Sequence, residues 1–332
     1  MLNKDLKLNQ KLWNDDVEQI PIRKGFGEGL VVAGEADKQV VALCADLTES
    51  TQMLAFKEKF PERFVEIGVA EQNLVTVASG MAALGKIPFV SSYAMFSPGR
   101  NWEQIRTTVA YNDRGVIIVG SHAGISVGPD GGTHQAIEDM AIMRVMPNMM
   151  VISPCDSVEA KKATIALANA GKPAYLRLAR EKTPVMTTIE TPFELGKANI
   201  FYKSEGGLSS VGIISTGALT HKALWAAKKL EKLGIRATVI NIHTVKPLDA
   251  EAIVALAKET KSIVTVEEHQ IAGGLGGAVA ETLAGEYPVP IEFIGVHDQF
   301  GQSGKPEELL AHYKMSVEDI IEAAKKVIER KN

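Results

Sequence analysis

Short runs of consecutive apolar, β-branched residues alternate along this chain with longer segments whose apolar positions recur every three or four residues. The runs at 39–45 (QVVALCA), 87–91 (IPFVS), 115–120 (GVIIVG), 149–153 (MMVIS) and 174–178 (AYLRL) predict short strands buried on both faces. Between them, segments 23–36, 54–60, 71–84, 102–111 and 157–170 carry the helical period and predict crossover helices. A second series of the same kind starts at 211–215 (VGIIS). It continues through 221–233, 237–242, 250–260, 262–267, 277–284 and 291–296 to a closing helix at 317–330. The series are separated by 183–207, which holds Pro184, Pro192 and the polar turn Ser204-Glu205-Gly206-Gly207. The pattern predicts an α/β protein of two tandem doubly wound domains. The first spans 1–188 with an N-terminal extension, 189–207 is a linker, and 208–332 is the second domain.

Charge narrows the chemistry. Lys plus Arg is 36 and Asp plus Glu is 40, a formal net charge of −4. That balance argues against nucleic acid or an anionic membrane as partner, so phosphate recognition has to come from a few placed cations. The two cysteines, Cys44 and Cys155, sit in apolar runs without metal-type spacing and are expected to be buried reduced thiols of a cytoplasmic protein. The first sixteen residues are polar and of mixed charge, unlike a signal peptide, and no apolar run reaches the length of a membrane span.

Three segments carry candidate chemistry. The richest is 120–139 (GSHAGISVGPDGGTHQAIED), a glycine-rich loop after a buried strand that bears His122, Asp130 and His134. It stands where open α/β sheets bind ligands, although a histidine on such a loop also serves as a turn-stabilising hydrogen-bond partner. The second is 64–81, where a short strand leads through Gly68 to a helix with Glu71 in its first turn. A glutamate there is ordinarily a partner of the helix dipole. The third is Ala45-Asp46-Leu47-Thr48-Glu49-Ser50, at the end of the first strand, where Asp and Ser commonly cap the following helix. Gly273-Gly274 and Gly276-Gly277 lack the spacing of a dinucleotide loop and follow Glu267 and Glu268, so they read as a tight strand-to-helix turn without a ligand.

Taken in order, ADLTES (45–50), EIGVAEQN (66–73) and GPDGGTHQAIED (128–139) resemble the pyrimidine-binding domain of transketolases and of the related deoxyxylulose-phosphate synthases. IRKGFGE (22–28) and LRLARE (176–181) fit the same layout, and VEEHQIAGGLGG (266–277) is similar to the family's C-terminal domain. The family's Gly-Asp-Gly segment and following Asn, which hold the diphosphate and its divalent cation, are absent from this sequence. The chain therefore resembles the C-terminal subunit of a split transketolase. The resemblance implies a companion N-terminal chain that supplies the cation site (Mg2+ or Ca2+), with no metal held here, and an assembly of two chains of each kind.

The resemblance also implies roles. Thiamine diphosphate is shared between the chains, and Glu71 is the carboxyl group that hydrogen-bonds the pyrimidine and drives its activating tautomer. Tyr93 and Phe96 are its aromatic contacts, with core packing the alternative for Tyr93, and Trp102 is a further candidate. Asp46 and Ser50 lie beside the cofactor and donor sugar, and Asp130 reads a donor hydroxyl. His134 acts in proton transfer or oxyanion stabilisation. Arg23, His122 and Arg180 grip the sugar phosphate, although an arginine is also an ordinary surface residue. The implied activity is transfer of a two-carbon ketol unit from a ketose phosphate to an aldose phosphate, as in the pentose phosphate pathway. The alternatives are the β subunit of a 2-oxoacid dehydrogenase decarboxylase, a deoxyxylulose-phosphate synthase-like enzyme, or a non-catalytic scaffold subunit.

Overall fold

The structure, a computed structural model, describes residues 1–331. Its first unit runs β1 (Gln19–Pro21), α1 (Ile22–Ala36), β2 (Val40–Cys44), α2 (Leu54–Lys59), β3 (Phe64–Glu66), α3 (Glu71–Ala83), β4 (Ile87–Tyr93), α4 (Trp102–Gln104), β5 (Ile117–Ser121), α5 (Asp139–Arg144), β6 (Met150–Ile152), α6 (Ser157–Ala168), β7 (Ala174–Arg177) and β8 (Lys182–Pro184). The second runs β9 (Asn199–Lys203), β10 (Val211–Ser215), α7 (Thr220–Lys232), β11 (Ala237–Asn241), β12 (Thr244–Lys246), α8 (Ala250–Thr260), β13 (Ile263–Gln270), α9 (Leu275–Glu286), β14 (Ile291–Val296), α10 (Pro306–His312) and α11 (Val317–Glu329). The two series are tandem α/β units, as the periodicity predicts.

The first sheet has the order β12-β6-β7-β5-β4-β2-β3, and all of its strands but one are parallel. Strands such as Val40–Cys44 and Ile117–Ser121 are buried at every position, because crossover helices cover both faces. Packing is closest between α1 and α6. A Cβ on Gly25 would come within 1.7 Å of the Ser157 carbonyl oxygen, so only glycine lets these helices touch there. That approach fixes the start of α1, and with it Arg23. The segment expected as one helix over 102–111 begins as α4 and continues as a π-helix over Ile105–Ala110.

The second sheet, β14-β13-β10-β11-β9, is parallel except for β9 at its edge. Three features depart from the sequence reading, and the last two bind the units together. Part of the expected linker, Asn199–Lys203, is the β9 edge strand of the second sheet. Thr244–Lys246 leaves the second unit to pair antiparallel with β6, extending the first sheet. The N-terminal extension packs on the second unit: Leu8 and Leu12 join the core of Tyr202, Leu224 and Val239, and Trp13 meets Trp225 edge-on at 5.2 Å.

Buried polar groups seal the same junction. Asp156 caps α6 through the Glu159 amide at 2.8 Å and accepts the amides of Met186 and Thr187 at 2.7 and 2.6 Å. Glu159 accepts from the Cys155 amide at 2.7 Å and from Asn241 Nδ2, across the unit boundary, at 2.8 Å. Cys44 and Cys155 are both buried free thiols, and burial pushes the Cys155 thiol well up. Among the described residues no helix is long and apolar enough to cross a membrane.

Burial, reinforced by the Asp156 charge, pushes the Glu159 carboxyl up to about 7 from an ordinary value of 4.5. The folded chain then holds a proton that the unfolded chain has released. The associated stability is complete below pH 4.5 and is lost as pH rises through 7. Glu159→Gln is expected to flatten this pH dependence by up to ~3 kcal/mol, measured as urea-unfolding free energy at successive pH values.

Candidate functional site

Parallel strands deliver the candidate residues to one edge of the first sheet. Asp46 follows β2, Glu71 opens α3 just after β3, Tyr93 ends β4, His122 follows β5, and Arg180 follows β7. This carboxyl edge is where an open α/β sheet leaves a crevice between its loops.

Four of the predicted residues form one aromatic wall. The Tyr93 and His122 rings stack with centroids 3.9 Å apart, and Tyr93 stacks with Phe96 at 6.1 Å. His134 meets Phe96 edge-on at 5.2 Å, with its Nδ1 2.9 Å from Thr133 Oγ1. His122 is buried, with Nδ1 2.9 Å from Ser121 Oγ. Burial, followed by the positive charges of Arg23 and Arg180, pushes His122 down to about 3, so it is a neutral imidazole at any working pH. Arg23 donates to the Arg180 carbonyl oxygen and Arg180 donates to the Val127 carbonyl at 2.7 Å. The two guanidinium groups thus frame the buried histidine. Burial and the neighbouring Arg180 charge lower the pKa of Arg23, and its buried Nε has no hydrogen-bond partner among the described residues.

Glu71 lies on the other side of the wall and is 4% exposed. Arg100 Nη1 donates to both of its carboxylate oxygens, at 3.1 and 3.2 Å, and Ser92 Oγ lies 3.4 Å away. Asn101 Nδ2 donates to the Glu71 carbonyl oxygen at 2.9 Å and fixes the first turn of α3. Beside Arg100 opens a cleft of about 560 Å³ lined by Phe96, Ala94, Met95, Ala136 and Ile142, with Glu138 at its rim. A flat, nitrogen-bearing ring fits this setting: the cleft offers an aromatic face and apolar walls, and beyond Arg100 stands the buried Glu71 carboxylate, which can accept or share a proton.

The remaining candidates stand apart. Asp46 is exposed, and it is its backbone amide that is held, donating to Glu66 Oε1 at 2.7 Å. Ser50 is half-buried and Asp130 is exposed at the loop tip. None of these three side chains bonds to the aromatic wall among the described residues. Trp102 donates its indole N–H to the Ile142 carbonyl at 2.9 Å and packs into the core, which makes it a support under the cleft floor. Among the described residues no group of three or more His, Cys, Asp or Glu side chains is placed to hold a metal ion.

Several residues that organise this edge carry no role in the sequence reading. Glu66 accepts the amides of Asp46 and Gly68 and the hydroxyl of Thr48, so one carboxylate ties together the 45–50 and 66–73 loops. Glu268, on β13 of the second unit, reaches across to accept the Ser126 amide at 2.5 Å. Gly124, at φ +91°, leaves room for it, since a Cβ there would lie 2.4 Å from Glu268 Oε1. Gln135 donates to the carbonyls of Ile125 and Gln302, each at 3.0 Å. The second unit thus holds the loop that carries His122, Asp130 and His134. The Gly273–Gly277 turn has its helix terminus filled from within the chain: Glu267 accepts the amides of Leu275 and Gly276, both at 2.7 Å.

Comparison with known proteins bears on the family and the fold. Residues 18–186 match the transketolase pyrimidine-binding domain and residues 203–320 the transketolase C-terminal domain. A putative transketolase C-terminal section of Methanocaldococcus jannaschii is 44% identical over 93% of this chain and 95% of that protein. A 6-deoxy-6-sulfo-D-fructose transketolase subunit of Clostridium sp. is 39% identical over 95% of this chain and 97% of its own length. Among solved structures, a split-gene transketolase described as an inactive β4 tetramer superimposes with a TM-score of 0.88 at 42% identity, covering 94% of this chain and all of that one. The chain belongs to the transketolase family, of which it carries the pyrimidine-binding and C-terminal domains in the manner of a split transketolase's C-terminal subunit.

Proposed function

We propose that this chain supplies the pyrimidine-binding half of a two-carbon ketol transferase whose diphosphate- and cation-binding half lies on a partner chain. The observation that carries the reading is Glu71, a nearly buried carboxylate at the start of α3 beside a cleft walled by Phe96. When bound, thiamine diphosphate supplies the electron sink for breaking and making a carbon–carbon bond. Glu71 receives or returns a proton at the edge of the pyrimidine, and Phe96 and Tyr93 orient and desolvate the ring. His134, at the edge of the aromatic wall, moves a proton at the substrate oxygen. Asp46, just after β2, lies beside the cofactor, and Ser50 and Asp130, on the loops after β2 and β5, meet the donor sugar.

Arg23, Arg180 and neutral His122 receive the substrate phosphate. Two guanidinium groups supply charge, and the imidazole supplies a directed hydrogen bond without adding a third positive charge. The sequence holds no Gly-Asp-Gly segment, which supports a partner that holds the diphosphate with Mg2+ or Ca2+; the reading further places two chains of each kind in one assembly in the cytoplasm. The solved relative described as an inactive β4 tetramer supports the need for that partner. Pentose phosphates are the reading's first substrates, and the sulfofructose relative makes the sugar itself the quantity to measure.

The test mixes this chain with its partner, thiamine diphosphate and Mg2+, and follows two-carbon transfer from xylulose 5-phosphate to ribose 5-phosphate by product analysis. Glu71→Gln is expected to lower kcat by roughly 10²–10⁴-fold while leaving subunit association intact; turnover near that of the wild type rules out the assignment. Arg180→Ala is expected to raise KM roughly tenfold or more with kcat changed far less, and an unchanged KM removes it from the phosphate site. The His122 ring nitrogens, followed by NMR, should not titrate between pH 5 and 8, because the group is pushed down to about 3; a midpoint inside that window contradicts the arrangement.

A further inference from the structure

Arg100 has no role in the reading above, yet it stands between the two features on which that reading rests. Its guanidinium lies 4.1 Å over the Phe96 ring and at the same time donates to both oxygens of Glu71. A planar group that stacks on Phe96 and hydrogen-bonds Glu71 is the description given above of the cofactor's pyrimidine. For the ring face and the carboxylate oxygens that Arg100 covers, the guanidinium and a pyrimidine compete.

The shape of the surface supports the same conclusion. The Phe96-walled cleft of about 560 Å³ and a second hollow of about 570 Å³ at the start of α3, lined by Val69, Glu71, Gln72 and Asn73, are separate. Among the described residues Arg100 is the only one that lines both. Turning its side chain outward would join them and open Glu71 to the cleft.

We infer that Arg100 is a displaceable placeholder, a side chain that occupies Phe96 and Glu71 in the free chain and must swing out for the pyrimidine to seat. The inference rests on the proposed function of Glu71 and Phe96. The displacement is cheap enough to occur. The Arg100 side chain is already 51% exposed, so it regains water when it leaves, and the incoming pyrimidine takes over its hydrogen bonds to Glu71. While in place it gives the buried carboxylate a counter-charge, without which Glu71 would sit desolvated and alone. The turn around it does not depend on the guanidinium. The Arg100 amide donates to the Phe96 carbonyl at 2.9 Å, and Asn101 Nδ2 bridges Ser97 Oγ at 3.1 Å and the Glu71 carbonyl at 2.9 Å.

The experiment is calorimetric titration of thiamine diphosphate with Mg2+ into the assembled complex, comparing wild type with Arg100→Ala and Arg100→Gln. Both variants are expected to bind roughly three- to tenfold more tightly, since no ion pair or cation–ring contact has to be broken first. In a Glu71→Gln background the gain from Arg100→Ala should shrink to within about twofold, because a neutral partner no longer holds the guanidinium in place. Unchanged or weaker binding by Arg100→Ala overturns the placeholder, as does a gain fully retained with Glu71→Gln. Binding by neither wild type nor variants would instead remove the functional reading itself, so the two failures are distinct.

Discussion

One buried guanidinium, that of Arg177, holds the site edge and both units in register. It sits at the end of β7, 6% exposed, and pairs with Asp139, itself 2% exposed, through Nε at 2.8 Å. Its Nη2 donates to the Ala136 carbonyl of the site loop at 3.2 Å and to the Glu268 carbonyl of the second unit at 2.9 Å. Tyr175 adds its hydroxyl to Asp139 at 2.7 Å. Burial alone would raise the Asp139 carboxyl; the charge and hydrogen bonds of Arg177 more than offset this and hold it below its ordinary value. Such a pair is weak evidence for net stability, but leaving either partner alone costs several kcal/mol. It therefore specifies one arrangement of three elements rather than merely adding affinity between them.

The consequence is a division between a rigid back and an open front. Behind the crevice, Glu268 of the second unit, the loop's own Gln135 bonded to Gln302, and Arg177 hold the loop that carries His122 and His134 against the second unit. The second unit has a physical role here, since it fixes the far side of a loop whose glycines would otherwise leave it loose. In front, Arg100, Asp46 and Asp130 are exposed, and the cleft beside Glu71 is open. An edge so finely held on one face and so accessible on the other fits one half of a composite site, in which the proposed partner chain covers the opening.

Where the local apolar period settles an element, the sequence alone placed it closely. The segments 211–215, 250–260 and 291–296 coincide with β10, α8 and β14, where apolar strand residues and a clean helical period mark each element locally. Elements defined by tertiary partners were harder to see. β9 and β12 are short, and they exist because an edge of each sheet accepts them, which local composition cannot signal. The N-terminal extension reads as polar, yet Leu8, Leu12 and Trp13 are enough to dock it on the second unit. At the site, Tyr93, Phe96, His122 and His134 were each singled out through the family resemblance, and the structure adds that they form one aromatic wall. Arg100 did not, although it sits in the same stretch as Phe96. Its position is determined by the ion pair with Glu71, and a sequence shows neither which arginine reaches which carboxylate nor that it stacks on the way.

The central claim is that this chain holds only the pyrimidine end of the coenzyme. Equilibrium titration of thiamine diphosphate and Mg2+ into this chain alone, the partner alone and the equimolar mixture addresses it most directly. The account predicts saturable, metal-dependent binding in the mixture, with far weaker binding by this chain alone. Tight, metal-dependent binding by this polypeptide in isolation would contradict it.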